Sequence, residues 1–213
     1  MSDKPTTHAA ERVYRYTKDL IIRGALPGGR LISEGSICDD LGVSRTPVHE
    51  AFLRLDTERL LALSSRKGAV VLPMAPQEAR DVLEMREAIE GAAAQRVVDE
   101  ERTAPATLDR LRSNLAVQAG HAAAGDLEAF VEADEEFHRT VVEASGNEIA
   151  GHFYALLRDR QQRLRHHLLA IRPDELPVIL TDHRDLVGCL ERRDADAYRD
   201  LLRAHVARNR GAL

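Results

Sequence analysis

From Pro76 to about residue 209 the apolar residues recur three or four positions apart, and the alternation that marks a strand is missing. A chain of that kind hides its stripes only by packing helix on helix, so this stretch is expected to form an all-α bundle. Breaks at Gly125-Asp126, Ser145-Gly146-Asn147, Arg172-Pro173-Asp174 and Asp194 divide it into about six helices, near 76–99, 105–123, 126–145, 147–170, 176–193 and 195–209. Ahead of it the pattern is different. Residues 9–24 carry Val13, Leu20 and Ile21 on one helical face, and Gly24 with Pro27-Gly28-Gly29 stops that helix. Ser33 is placed to cap a second helix reaching Leu41, Gly42 makes a turn, and Ser44 caps a third whose buried stripe is Val48, Phe52 and Leu55. Two β-like runs follow, Leu60–Leu63 and Ala69–Leu72, with residues 64–68 as the tip between them. The fold expected is mainly α: a winged helix-turn-helix over 8–73, then a helical domain over 77–209, with a hinge at the Pro73–Pro76 joint.

Composition narrows the function classes. Of 213 residues 44% are hydrophobic and 31% charged, so a packed chain is expected rather than a disordered one. No apolar run approaches the roughly 18 residues of a membrane helix, and MSDKPTTHAAER has neither an apolar core nor a secretory cleavage pattern. Cys38 and Cys189 form no CxxC pair, so two reduced thiols in a cytoplasmic protein are expected. Charge divides unevenly. Residues 1–73 hold 11 Lys and Arg against 9 Asp and Glu (+2), and residues 74–213 hold 19 against 26 (−7). A mildly basic head on an acidic body points to two modules with different partners.

In a helix-turn-helix the early residues of the second helix reach base edges in the major groove. Here those are Ser44, Arg45, Thr46 and His49, the last three sharing a face. Arg45 can donate twice to a guanine edge, and Thr46 can meet a thymine methyl or a phosphate. Ser44 with the helix N-terminus suits a phosphate. Arg66 and Lys67 at the hairpin tip suit backbone or minor-groove contact, with Gly68 allowing close approach. The competing reading is a solvated helix face beside a charged hairpin. The stretch LGVSRTPVHEAFLRL, preceded by IIRGALPGGRL and followed by RKGAVV, resembles the winged-helix domain of GntR-type bacterial transcription regulators. That resemblance implies binding to double-stranded operator DNA, an inverted repeat read by a homodimer. Two positions depart from the family pattern. His49 stands where Arg is usual, and residues 34–36 read Glu-Gly-Ser where a Lys or Arg is often present.

In the body, polar residues interrupt apolar stripes. Asp134 and His138, four apart, fall inside the stripe Leu127, Phe130, Val131, Phe137, Val141, Val142. His183 heads Leu186, Val187 and Leu190, and His205 lies among Tyr198, Leu201 and Leu202. One carboxylate and three imidazoles aimed inward form a plausible shell for a divalent transition metal ion, with zinc, nickel, manganese or iron all suited. The alternative is four groups that never meet. Arg86 lies on the stripe Ala79, Val82, Leu83, Ala93, Val97, either to clamp a carboxylate or to pair with Glu90. Arg160 and His167 fall near the stripe Ile149, Phe153, Leu156, Leu164 as further pocket candidates.

Residues 77–208 resemble the FCD domain, the helical effector domain of the FadR subfamily of GntR regulators, through Arg86–Glu90, DEEFHRTVVEASGN across Asp134–Asn147, and His183 and His205. The resemblance implies a metal at Asp134, His138, His183 and His205, most naturally zinc, beside a small organic acid held by Arg86. Asn147 is either a ligand contact or a helix cap, and Arg160 a weaker effector contact. The function expected is a ligand-responsive transcription regulator, a repressor whose operator binding the acid modulates. The alternatives are a metal-dependent enzyme with an appended DNA-binding head, though no general base or nucleophile motif is evident, or a regulator with a purely structural metal.

Overall fold

The computed structural model describes residues 4–64 and 68–210 and divides into two compact units, residues 1–74 and 75–213. The wing-tip residues Arg66 and Lys67 lie outside the described residues.

In the first unit, helix α1 (Lys4–Ile22) precedes a short strand β1 (Leu31–Ile32), helices α2 (Glu34–Leu41) and α3 (Arg45–Thr57), and strands β2 (Leu61–Ser64) and β3 (Gly68–Val71). Of the helical stripes Val13, Ile21, Val48, Phe52 and Leu55 are buried and Leu20 partly so, and Ile37 with the strand residues Leu61 and Val71 completes the core. Ser33 caps α2 by accepting the Ser36 N–H at 3.0 Å, and Gly42 closes it in the left-handed conformation at φ +62°. Ser44 occupies the N-cap of α3 with extended backbone, but its hydroxyl makes no capping bond.

The two-stranded wing expected from the sequence is a three-stranded antiparallel sheet in the order β1-β3-β2. Leu31 pairs with Val70 and Ile32 with Ala69. Two residues are too short a run to display a period, so β1 is invisible to pattern reading. The pairing explains Gly68. It sits at φ +99°, and a Cβ there would stand 2.1 Å from the Ile32 carbonyl oxygen. The sheet itself demands glycine at this place, whether or not DNA is near.

The second unit contains α4 (Pro76–Asp99), α5 (Pro105–Ala124), α6 (Leu127–Ala144), α7 (Glu148–Ile171), a single 3-10 turn (Pro173–Glu175), α8 (Leu176–Glu191) and α9 (Ala195–Arg210). Helix α6 packs against α5, α7 and α4, while α8 lies against α5 and α9, and α9 returns to α4. The stripes of α4 and α8 are buried as their spacing predicts, and so are those of α6 and α9 except for the partly buried Leu127 and Leu201. Helix α7 is the exception. Of its expected stripe only Leu164 is buried, whereas Ile149, Phe153 and Leu156 are 70%, 53% and 57% exposed. The buried face of α7 is instead Tyr154, Gln161, Arg165 and Leu168.

Gly68→Ala should destabilise the first unit by about 1–3 kcal/mol through backbone strain and the clash with Ile32. A thermal melt of the full chain unchanged by this substitution would show that β1 does not pack where described.

Candidate metal centre

Each helix of the second unit sends a polar side chain into the same interior. His138 (α6), His183 (α8) and His205 (α9) are all buried, and one ring nitrogen of each lies within 4.8 Å of the others. Their second nitrogens are held from behind. His138 Nδ1 lies 2.8 Å from Glu90 Oε2 of α4, His183 Nδ1 2.8 Å from Gln118 Oε1 of α5, and His205 Nδ1 2.9 Å from Asp182 Oδ2 of α8.

These bonds decide where the protons are. A carboxylate only accepts, so Glu90 and Asp182 place hydrogen on the Nδ1 of His138 and His205. Gln118 reaches the same result through a relay. Asn114 donates from Nδ2 to the Ala133 carbonyl at 3.0 Å, which turns its Oδ1 to accept from Gln118 Nε2 at 2.7 Å. That leaves Gln118 Oε1 to accept from His183 Nδ1. All three Nε2 atoms in the neutral rings are therefore bare lone pairs. Those of His138 and His183 face each other at 3.1 Å, and His205 Nε2 is buried with no partner. Protonation is a poor remedy. Burial, with the nearby Arg86 guanidinium second, holds His138 well below the ordinary imidazole range. Burial does the same to His183, and burial followed by Arg86 and Arg165 brings His205 down to about 3. Three neutral imidazoles converging lone pair to lone pair in a buried interior are the donor set a divalent transition metal takes.

Asp134 is buried beside them, its Oδ1 3.5 Å from His183 Nε2 and hydrogen-bonded by Arg165 Nη1. Burial alone would raise its carboxyl, but Arg165 first, then the imidazoles and Arg86, keep it well below its usual value. The structure thus brings all four sequence candidates together, with Asp134 turned to a guanidinium. Arg86 donates from Nε to Glu90 Oε1 at 2.8 Å, the intrahelical pairing the sequence left open, and Tyr154 donates to the same oxygen at 3.2 Å. Arg86 still carries a buried Nη2 without an acceptor, and the Tyr198 hydroxyl is likewise buried and unmatched.

Two effector candidates sit elsewhere. Asn147 caps α7, its Oδ1 accepting the Ala150 N–H at 3.1 Å. Arg160 is half exposed and pairs with Glu78 Oε1 at 3.2 Å. It lies on the exposed face of α7 with Ile149, Phe153 and Leu156, and Arg165 is the guanidinium that α7 brings to the imidazoles. Sequence reasoning missed Arg165 because those three apolar residues set the apparent phase of the helix. It also left the imidazole acceptors Gln118 and Asp182 unidentified. Nothing in the spacing marks them, although both interrupt otherwise apolar faces. In the first unit, Ser44, Arg45, Thr46 and His49 are exposed together at the start of α3.

The chain is similar to known proteins in both of its units. Residues 9–71 match the profile of bacterial regulatory proteins of the gntR family, and residues 81–208 match the FCD domain. The HTH-type transcriptional repressor RspR of Escherichia coli (strain K12) is 26% identical over 203 residues, covering 95% of this chain and 87% of that protein. A probable D-xylose utilization operon transcriptional repressor of Paenarthrobacter nicotinovorans is 28% identical over 203 residues, covering 94% and 87%. Among solved structures, E. coli McbR/YncC superposes with a TM-score of 0.75 at 24% identity, covering 98% of this chain and 96% of that one, a likeness of fold.

Gln118→Leu breaks the relay behind His183 without touching the converging nitrogens. Zinc affinity, read by competition with a chelating dye, is expected to fall roughly 10- to 100-fold. An unchanged affinity would mean the relay does not hold that ring.

Proposed function

The chain belongs to the gntR family of bacterial regulatory proteins and carries an FCD domain, which makes it a DNA-binding transcription regulator and not an enzyme; from that premise we propose that it is a repressor whose helical domain binds a divalent transition metal ion and a small organic acid, and that the acid modulates operator binding. The observation that carries this reading is the convergence of three neutral imidazole lone pairs on one buried point. His138, His183 and His205 would hold the metal, zinc being the best match to nitrogen donors, with Asp134 as the adjacent carboxylate. When bound, the metal supplies open coordination positions that fix a carboxylate.

Charge accounting supports the second ligand. Around the imidazoles the buried charges already cancel in pairs: Arg86 with Glu90, Arg165 with Asp134, and the half-buried Arg208 with Asp182. A divalent cation adds two positive charges to a balanced, buried interior, and an anion entering beside it relieves them. Donors for that anion exist in the unmatched Arg86 Nη2 and Tyr198 hydroxyl. The acid changes operator affinity only through unequal binding to the DNA-competent and DNA-incompetent states, and a coupling of about 1–3 kcal/mol suffices.

The exposed stripe on α7 favours a homodimer. Ile149, Phe153 and Leu156 make one apolar face at positions where a helix of a single chain would be polar. A second copy of the chain would cover it and supply the second recognition helix for an inverted repeat.

The purified protein should carry close to one equivalent of metal per chain, and one member of a panel of organic acids should shift its affinity for the DNA upstream of its own gene without being consumed. No shift with any acid would leave a structural metal. Replacing His183 and His205 by Ala should abolish bound metal, and full retention would dismiss this ligand set. Phe153→Glu should turn a sedimenting dimer into a monomer; an unchanged dimer would move the interface elsewhere.

A further inference from the structure

In the DNA-binding unit His49, which stands where the family usually has Arg, touches the first residue of the neighbouring helix. His49 sits one turn into α3, 57% exposed and on the face shared by Arg45 and Thr46. Its Nδ1 lies 2.8 Å from Oε1 of Glu34, the first residue of α2. Ser33 immediately before it caps that helix, so the backbone carrying the carboxylate is fixed. The ring is thereby oriented, and more than its position is set. An ionised carboxylate has no proton to offer, so the contact places hydrogen on Nδ1. In the neutral ring the nitrogen across from it, Nε2, is then an acceptor.

An acceptor in the major groove meets a partner on two bases. Cytosine presents its N4 amino group and adenine its N6 amino group, whereas guanine and thymine present acceptors at the corresponding edges. We propose that Glu34 and His49 act as one base-reading unit that selects an exocyclic amino group, on cytosine or adenine, and disfavours guanine and thymine at one position of each half-site on the strand facing α3. Within it His49 is the reading residue and Glu34 the positioning residue. Arg45, one turn earlier, has only donors and suits guanine. The helix thus offers donor and acceptor side by side. The carboxylate attracts no phosphate, so the pair contributes selectivity more than affinity.

The test enriches bound duplexes from a random pool with the full chain at pH 8, where an imidazole is neutral. The parent chain is expected to prefer cytosine or adenine over guanine roughly threefold to tenfold at one position per half-site. His49→Ala should make that position indifferent and leave the others as they were. Glu34→Lys puts a donor against Nδ1, moves the ring hydrogen to Nε2, and should turn the preference to guanine. A general gain in DNA attraction from the added charge would raise all sequences alike and leave the preferences unmoved. The proposal is overturned if the parent prefers guanine or thymine at the His49-dependent position. It is equally overturned if His49→Ala alters no position, or if Glu34→Lys keeps cytosine or adenine. His49 is exposed and Glu34 partly exposed, and matching melting curves for the three proteins will confirm that the fold is common to them.

Discussion

Three imidazole lone pairs facing one another in a buried interior are costly without a partner, and the second unit is organised around that constraint. The converging nitrogens of His138, His183 and His205 are bare because a different helix stands behind each ring with an acceptor: α4 through Glu90, α5 through Gln118, and α8 through Asp182. Helix α7 adds Arg165 against Asp134. Removing any one helix would both open the apolar core and strand a buried polar group, which is costly without its partner. The bundle therefore holds its polar centre and its apolar packing as one problem with one solution. The electrostatic balance of the centre follows from the same economy: each buried cation has a carboxylate in contact, and the rings stay neutral because burial resists their charging.

Much of this was legible before any coordinates. Asp134 and His138 are four apart on a helix whose apolar stripe is dense enough to fix their inward direction, and His183 and His205 sit in stripes just as plain. What could not be read was the support. Glu90 was visible as a neighbour of Arg86, but Gln118 and Asp182 are single polar residues whose partners lie 65 and 23 positions away along the chain. Only packing brings such pairs together. Helix α7 misled for a different reason. Phe153 and Leu156 are its most conspicuous apolar residues, and periodicity assigns the largest apolar residues to the core. They are exposed, so the inward side chain of α7 is Arg165 rather than Arg160.

The DNA-binding unit is legible through its punctuation: the Ser33 cap and the Gly42 turn both stand where the sequence places them. Strand β1 is not, because two residues carry no period. The contact between Glu34 and His49 is also beyond reach of the sequence, since 15 positions separate the two residues and they lie on different helices.

The short strand Leu31–Ile32 has a mechanical consequence. A single residue, Ser33, stands between the sheet and the carboxylate that steers His49. There is no slack in that link to absorb a displacement of the hairpin before it arrives at the first turn of α2. On the proposal that His49 reads a base, the position of the sheet and the orientation of that ring are geared together.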